Sequence, residues 1–78
     1  MNENISLSEL QPGCSAVVRA LTLSGDIRRR LQDIGVIEGT VIEPVAKSPL
    51  GDPTAYLICG ATIALRDTDS SGVLVEPI

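Results

Sequence analysis

The chain has 78 residues, 44% of them apolar, with Tyr56 as its single aromatic and a net charge of −4. That length suits one domain, and without Phe or Trp its core must be packed from Val, Ile, Leu and Ala. The acidic balance argues against a nucleic-acid surface, which needs clustered cations and stacking rings, and against electrostatic binding to anionic lipid.

In chain order, the expectation is a single domain over 1–78 with residues 1–5 frayed. Leu7 and Leu10 are spaced i, i+3 and predict a single helical turn that lids the core, followed by a turn at Pro12-Gly13. Cys14 to Leu21 reads as a strand, with Ala16 and Val18 inward and a bulge before Leu21. Ser24 to Ile34 predicts the one clear helix. Ser24 suits the N-cap, Asp26 suits the first turn, and Ile27, Leu31 and Ile34 fall on one apolar stripe turned to the core. Gly35 then suits the left-handed residue that ends a helix.

Thr40 to Lys47 predicts the second strand, irregular at Pro44, which has no N–H to donate. Pro49-Leu50-Gly51-Asp52-Pro53 reads as a stiff turn, with Gly51 at the third position of a type II turn. Thr54 to Cys59 and Ala61 to Arg66 predict two more strands reversing at Gly60, with Ile63 and Leu65 inward. Asp67 to Gly72 reads as a polar turn or a single 3₁₀ turn, and Val73 to Glu76 as the last strand. Five short strands with one inserted short α-helix make a mainly β domain, a small closed or nearly closed barrel that leaves few exposed sheet edges.

The chemistry is restrictive. The chain has no His, which removes the commonest general base and the Ser-His-Asp arrangement. No catalytic residue, cofactor site or metal site is expected. Asp67 and Asp69 read as solvated turn residues. Cys14 and Cys59 read as two small buried hydrophobes in strands, without the Cys-x-x-Cys spacing of a metal site. No apolar run approaches the roughly 18 residues of a membrane span and no leader is recognisable, so no membrane insertion and a cytoplasmic location are expected.

Arg28, Arg29 and Arg30 form the one basic run. On the predicted helix Arg29 points outward, while Arg28 and Arg30 flank the buried stripe on opposite sides. Asp33 offers Arg29 and Arg30 ion pairs worth about 0.2–0.5 kcal/mol each. The run is either a solvated face, an anchor for an acidic partner, or a source of an arginine for a nucleotide site. Leu50, at a loop tip, is either a lid over the barrel end or an anchor for a partner's pocket. The candidate partner-contact set is therefore Arg29, Arg30, Pro49, Leu50 and Asp52.

Several of these residues recur together in a known family. The run Leu10-x-Pro12-Gly13, then Ile27-x-x-Arg30-Leu31-x-x-Ile34-Gly35-x-x-x-Gly39-Thr40, then Pro49-Leu50-Gly51-Asp52-Pro53, then Ile63-Ala64-Leu65-Arg66 resembles the ferrous iron transport protein A family, from about Leu7 to Val75. The resemblance implies an SH3-like barrel. It also implies a bacterial cytoplasmic accessory to the membrane ferrous iron transporter, ferrous iron transport protein B, which carries a G domain. Two further roles are a GTPase-activating partner of that G domain and a general protein-interaction module. Family members tend to have a short helix before the last strand, where this chain has Asp67-Thr68-Asp69-Ser70-Ser71-Gly72; Ser and Gly weaken a helix, so the chain departs from the family pattern there.

Overall fold

The computed structural model describes residues 4–78. Among these, six strands form one sheet: β1 (Ile5–Ser6), β2 (Ala16–Leu21), β3 (Val41–Lys47), β4 (Thr54–Ile58), β5 (Ala61–Leu65) and β6 (Val73–Pro77). Every neighbouring pair is antiparallel, in the order β1-β6-β2-β3-β4-β5. The five expected strands are β2 to β6. The sixth comes from the segment read as frayed: residues 1–3 lie outside the described residues, but Ile5 pairs with Val75.

The sheet curls because its residues share one core. Ala16 and Val18 of β2, Ile42 of β3, Tyr56 and Ile58 of β4, Leu65 of β5, and Val73 and Val75 of β6 belong to one buried cluster. Two irregularities help the turn. The register shifts between Val18 and Ala20, before Leu21 as expected, and between Pro44 and Ala46, where the proline breaks the ladder. Bulges bend a strand and sharpen its twist, which lets a small sheet wrap. A 3₁₀ turn, Leu7–Glu9, closes one end with Leu7 and Leu10 buried. Its start is fastened reciprocally: the Ser6 hydroxyl accepts from Ser8 N–H, and the Glu9 carboxylate accepts from Ser6 N–H.

Helix α1 (Gly25–Asp33) lies between β2 and β3 in sequence. Its entry differs from expectation. Ser24 occupies the N-cap, but its side chain makes no cap bond. The preceding loop is held instead by Arg28, whose Nη1 donates to the Leu21 carbonyl at 2.7 Å and to the Leu23 carbonyl at 3.4 Å. The exit follows expectation. Gly35 takes φ +107°, its N–H donates to the Gln32 carbonyl, and the Val36 N–H donates to the Leu31 carbonyl at 2.9 Å. This pair of bonds satisfies two end carbonyls and drives Val36 into the core. The apolar stripe is only partly seated. Leu31 is buried and Ile34 half-buried, whereas Ile27 is 37% exposed.

Two more expectations are corrected. Asp67–Ser70 forms a one-turn helix, α2, despite its weak propensity. The Asp52 carboxylate accepts from the Asp67 N–H at 2.9 Å, and the Ser70 hydroxyl donates back to the Asp67 carbonyl. A cap supplied from a distant loop satisfies a group that the local residues leave open. The helix ends at Ser70 with Ser71 as its C-cap, and Gly72 follows, where an added Cβ would collide with the Leu23 side chain. The cysteines are the second correction. Cys14 and Cys59 are both free and exposed, and both sit outside strands. Cys59 is drawn out of β4 by the two-residue reversal Cys59-Gly60, whose φ values are +50° and +83°. That pattern suits a tight hairpin between right-twisted strands.

Tyr56, the only aromatic, is buried among Thr54 and Ser70. Burial raises its phenol pKa above the usual value, hydrogen bonding with Ser70 and Thr54 opposes this, and the nearby Asp67 and Asp52 charges add to the rise. The folded state thus holds the protonated phenol more firmly than the unfolded chain does. Its contribution is complete below the unfolded pKa of about 10 and is lost as pH rises beyond it. Melting temperatures of the wild type should therefore fall as pH rises above about 10, and Tyr56→Phe should lack that component of the decline. A second outcome concerns the helix. Leu31→Ala should cost about 2–5 kcal/mol in urea unfolding, and Arg29→Ala less than about 0.5 kcal/mol. Equal losses would mean that α1 packs with a different phase.

Candidate functional site

The residues that project from this fold gather at two places joined by α2. The first is the loop between β3 and β4. The Gly51 N–H donates to the Ser48 carbonyl at 2.8 Å, and the Ser48 N–H donates to the Pro53 carbonyl. Gly51 thus takes the fourth position of the turn that starts at Ser48, one place later than the sequence suggested. The displaced turn leaves Leu50 at the tip with 94% of its surface exposed. Leu50 is therefore not a lid over the barrel end. Pro49 is exposed beside it, and Asp52 reaches back to cap α2.

The second place is the face of α1 turned toward β5. Here Ile27, Leu31 and Ile34 stand across from Ile63, Ala64 and Leu65, enclosing a groove of about 160 Å³. Arg30 of α1 and Asp69 of α2 also line it. Arg29 is exposed on α1. The expected pairs of Arg29 and Arg30 with Asp33 do not form. Among the described residues the ion pair is Arg19 with Glu76, at 2.8 Å across β2 and β6. Of the three arginines considered for a nucleotide site, Arg28 is committed to the carbonyls that hold the α1 entry.

Asp52 and Arg30 from the sequence-derived set thus meet the same short helix. Asp52 caps its first residue, and Arg30 shares the groove with its Asp69. Pro49, Leu50 and Arg29 are exposed, and Arg29 is in no ion pair among the described residues. Sequence reasoning did not identify the groove. Its one early signal was Ile27, which sits on the apolar stripe but outside the core. Among the described residues, no three His, Cys, Asp or Glu side chains gather as metal ligands. No helix among them is long and apolar enough to cross a membrane.

The Asp52 cap makes the loop and α2 depend on each other. Asp52→Ala should lower stability by about 0.5–2 kcal/mol in urea unfolding. Amide exchange at Asp67 should rise in the same variant; an unchanged rate there would mean that α2 needs no cap from the loop.

This geometry has close counterparts. The model of the FeoA domain family matches residues 5–77. Over 72 residues the chain is 36% identical to the Fe(2+) transport protein A/Fe(2+) transporter FeoB fusion protein of Porphyromonas gingivalis, covering 92% of this chain and 8% of that one. The chain thus spans a small part of the curated relative that it matches. The solution structure of iron(II) transport protein A from Clostridium thermocellum superposes with a TM-score of 0.91 at 35% identity, covering 95% of this chain and 46% of that one. The zinc complex of Stenotrophomonas maltophilia FeoA, described as a prokaryotic SH3 domain protein, superposes with a TM-score of 0.78 at 34% identity, covering 96% and 88% of the two chains. The expected SH3-like barrel and the family resemblance both hold.

Proposed function

The chain belongs to the FeoA domain family, and on that premise we propose that it is a non-enzymatic accessory of bacterial ferrous iron uptake that binds the membrane ferrous iron transporter in the cytoplasm. The observation that carries this reading is the fusion protein of Porphyromonas gingivalis, in which a domain 36% identical to this chain shares one polypeptide with transporter FeoB. Domains joined in one chain are held at high effective concentration. Where the two are not joined, the domain needs a docking surface of its own.

The surface that suits this role is the Pro49–Pro53 loop with Arg29 and Arg30 on α1. An apolar side chain that is 94% exposed gains most from entering a partner's pocket. Its loop is already ordered by two backbone hydrogen bonds and by the Asp52 anchor. A pre-ordered loop loses little entropy on association. Arg29 and Arg30 supply a positive spot on an acidic body, which steers an acidic surface into register. The donor set supports assisting the transporter over carrying its cargo. There is no His, and the two thiols stand singly, one before β2 and one in the β4–β5 reversal. Ferrous iron in protein sites favours several imidazole, thiolate or carboxylate ligands converging on one point.

Leu50→Asp decides the loop's part. Binding to detergent-solubilised transporter should weaken, and the melting temperature should stay within the small range of a surface substitution. A folded variant that binds as the wild type does would remove the loop from the interface. Failure of the wild-type protein to bind the transporter at all would remove the accessory reading itself.

A further inference from the structure

The groove beside α1 is also a sheet edge. β5 ends the strand order and, among the described residues, pairs only with β4. The reversal at Cys59-Gly60 sets Ile58 opposite Ala61. Residues flanking a two-residue hairpin exchange both backbone bonds, and such pairs alternate along an antiparallel ladder. Ala61, Ile63 and Leu65 therefore turn their N–H and C=O groups toward β4. Thr62 and Ala64 turn theirs outward, and both residues are exposed. No loop or turn among the described residues bonds to them.

Exposed edges are usually blunted by a charge, a proline or a bulge. Ala61–Leu65 contains no charged residue and no proline, and its pairing with β4 runs without a register shift. The groove follows this edge. Ile63, Ala64 and Leu65 line it in succession, although side chains alternate between faces along a strand. A groove that runs along a strand's margin meets consecutive residues of both faces in this way. Its far wall is apolar, and Arg30 and Asp69 supply one charge of each sign. Neither is in an ion pair among the described residues.

We propose that β5 accepts an added strand, and that its occupant is an extended segment of the ferrous iron transporter. The segment places an apolar side chain against Leu31 and Ile34, a carboxylate at Arg30 and a cation at Asp69. Thr62 and Ala64 each offer one backbone donor and one acceptor, which supply affinity, while the apolar wall and the two charges select the sequence. This rests on the transporter reading above, but it puts the contact at β5 and not at the Leu50 tip alone.

The test uses the intact protein with detergent-solubilised transporter as the probe. Amide hydrogen exchange at Thr62 and Ala64 should slow in the complex. Ala64→Pro removes an outward N–H without touching the bonds to β4, and should weaken binding about tenfold or more. Asp69→Lys, at a groove residue outside the loop surface proposed above, should weaken it in a protein whose melting temperature is unchanged, which keeps the test decisive if the proline variant does not fold. Wild-type binding with unprotected Thr62 and Ala64 amides would overturn strand addition and leave the accessory role standing. No wild-type binding would remove that role and this occupant with it.

Discussion

Filling a barrel without large side chains is the constraint on which the rest of this structure depends. With Tyr56 as the only aromatic, no single residue fills the interior. The volume must come from many small aliphatic groups, and they must arrive from every side. Each longer strand contributes at least one member of the buried cluster, and Leu7, Leu10, Leu31 and Val36 contribute from outside the sheet. A core assembled in this way leaves no element dispensable. It also explains why the bulges at Val18/Ala20 and Pro44/Ala46 matter: without them a short sheet would stay too open to bring β5 and β6 residues into the same cluster.

The same constraint shapes the surface. The core takes Leu31 from α1 and part of Ile34, while Ile27 stays 37% exposed on the wall of the groove. Between α1 and β5 a groove remains where a larger domain would continue its packing. Hydrophobic residues left on a surface are ordinary when scattered. Here several line one hollow beside an unpaired strand edge, with one charge of each sign on its walls. That arrangement is suited to recognising an extended chain, because it offers direction through the backbone and selection through the side chains.

The loop tip and the groove are coupled through α2. Asp52, two residues from Leu50, holds the first turn of α2, and α2 carries Asp69 to the groove. A partner that seats the loop would therefore find the groove's acidic wall already ordered. The link also accounts for a helix of only Asp-Thr-Asp-Ser, too short to persist alone. Its cap comes from a loop fifteen positions earlier, and its last serine is buried beside Tyr56.

What the sequence by itself determined is what local rules decide. The order of the five longer strands, the helix ended by Gly35, the break at Pro44 and the inward sides of Ala16, Val18 and Leu65 follow from side-chain period, fixed φ at proline and the left-handed freedom of glycine. The recurring motifs extended this to the family. Tertiary structure alone decided the remainder: the cap on α2, the use of Arg28 to hold the α1 entry in place of Ser24, the outward cysteines, and the incomplete burial of Ile27. Each depends on which distant groups the curled sheet brings together. Asp52 and Asp67 meet because β4 and β5 pair back to back between them, and no periodicity in the chain records how close that pairing places a carboxylate to an open N–H.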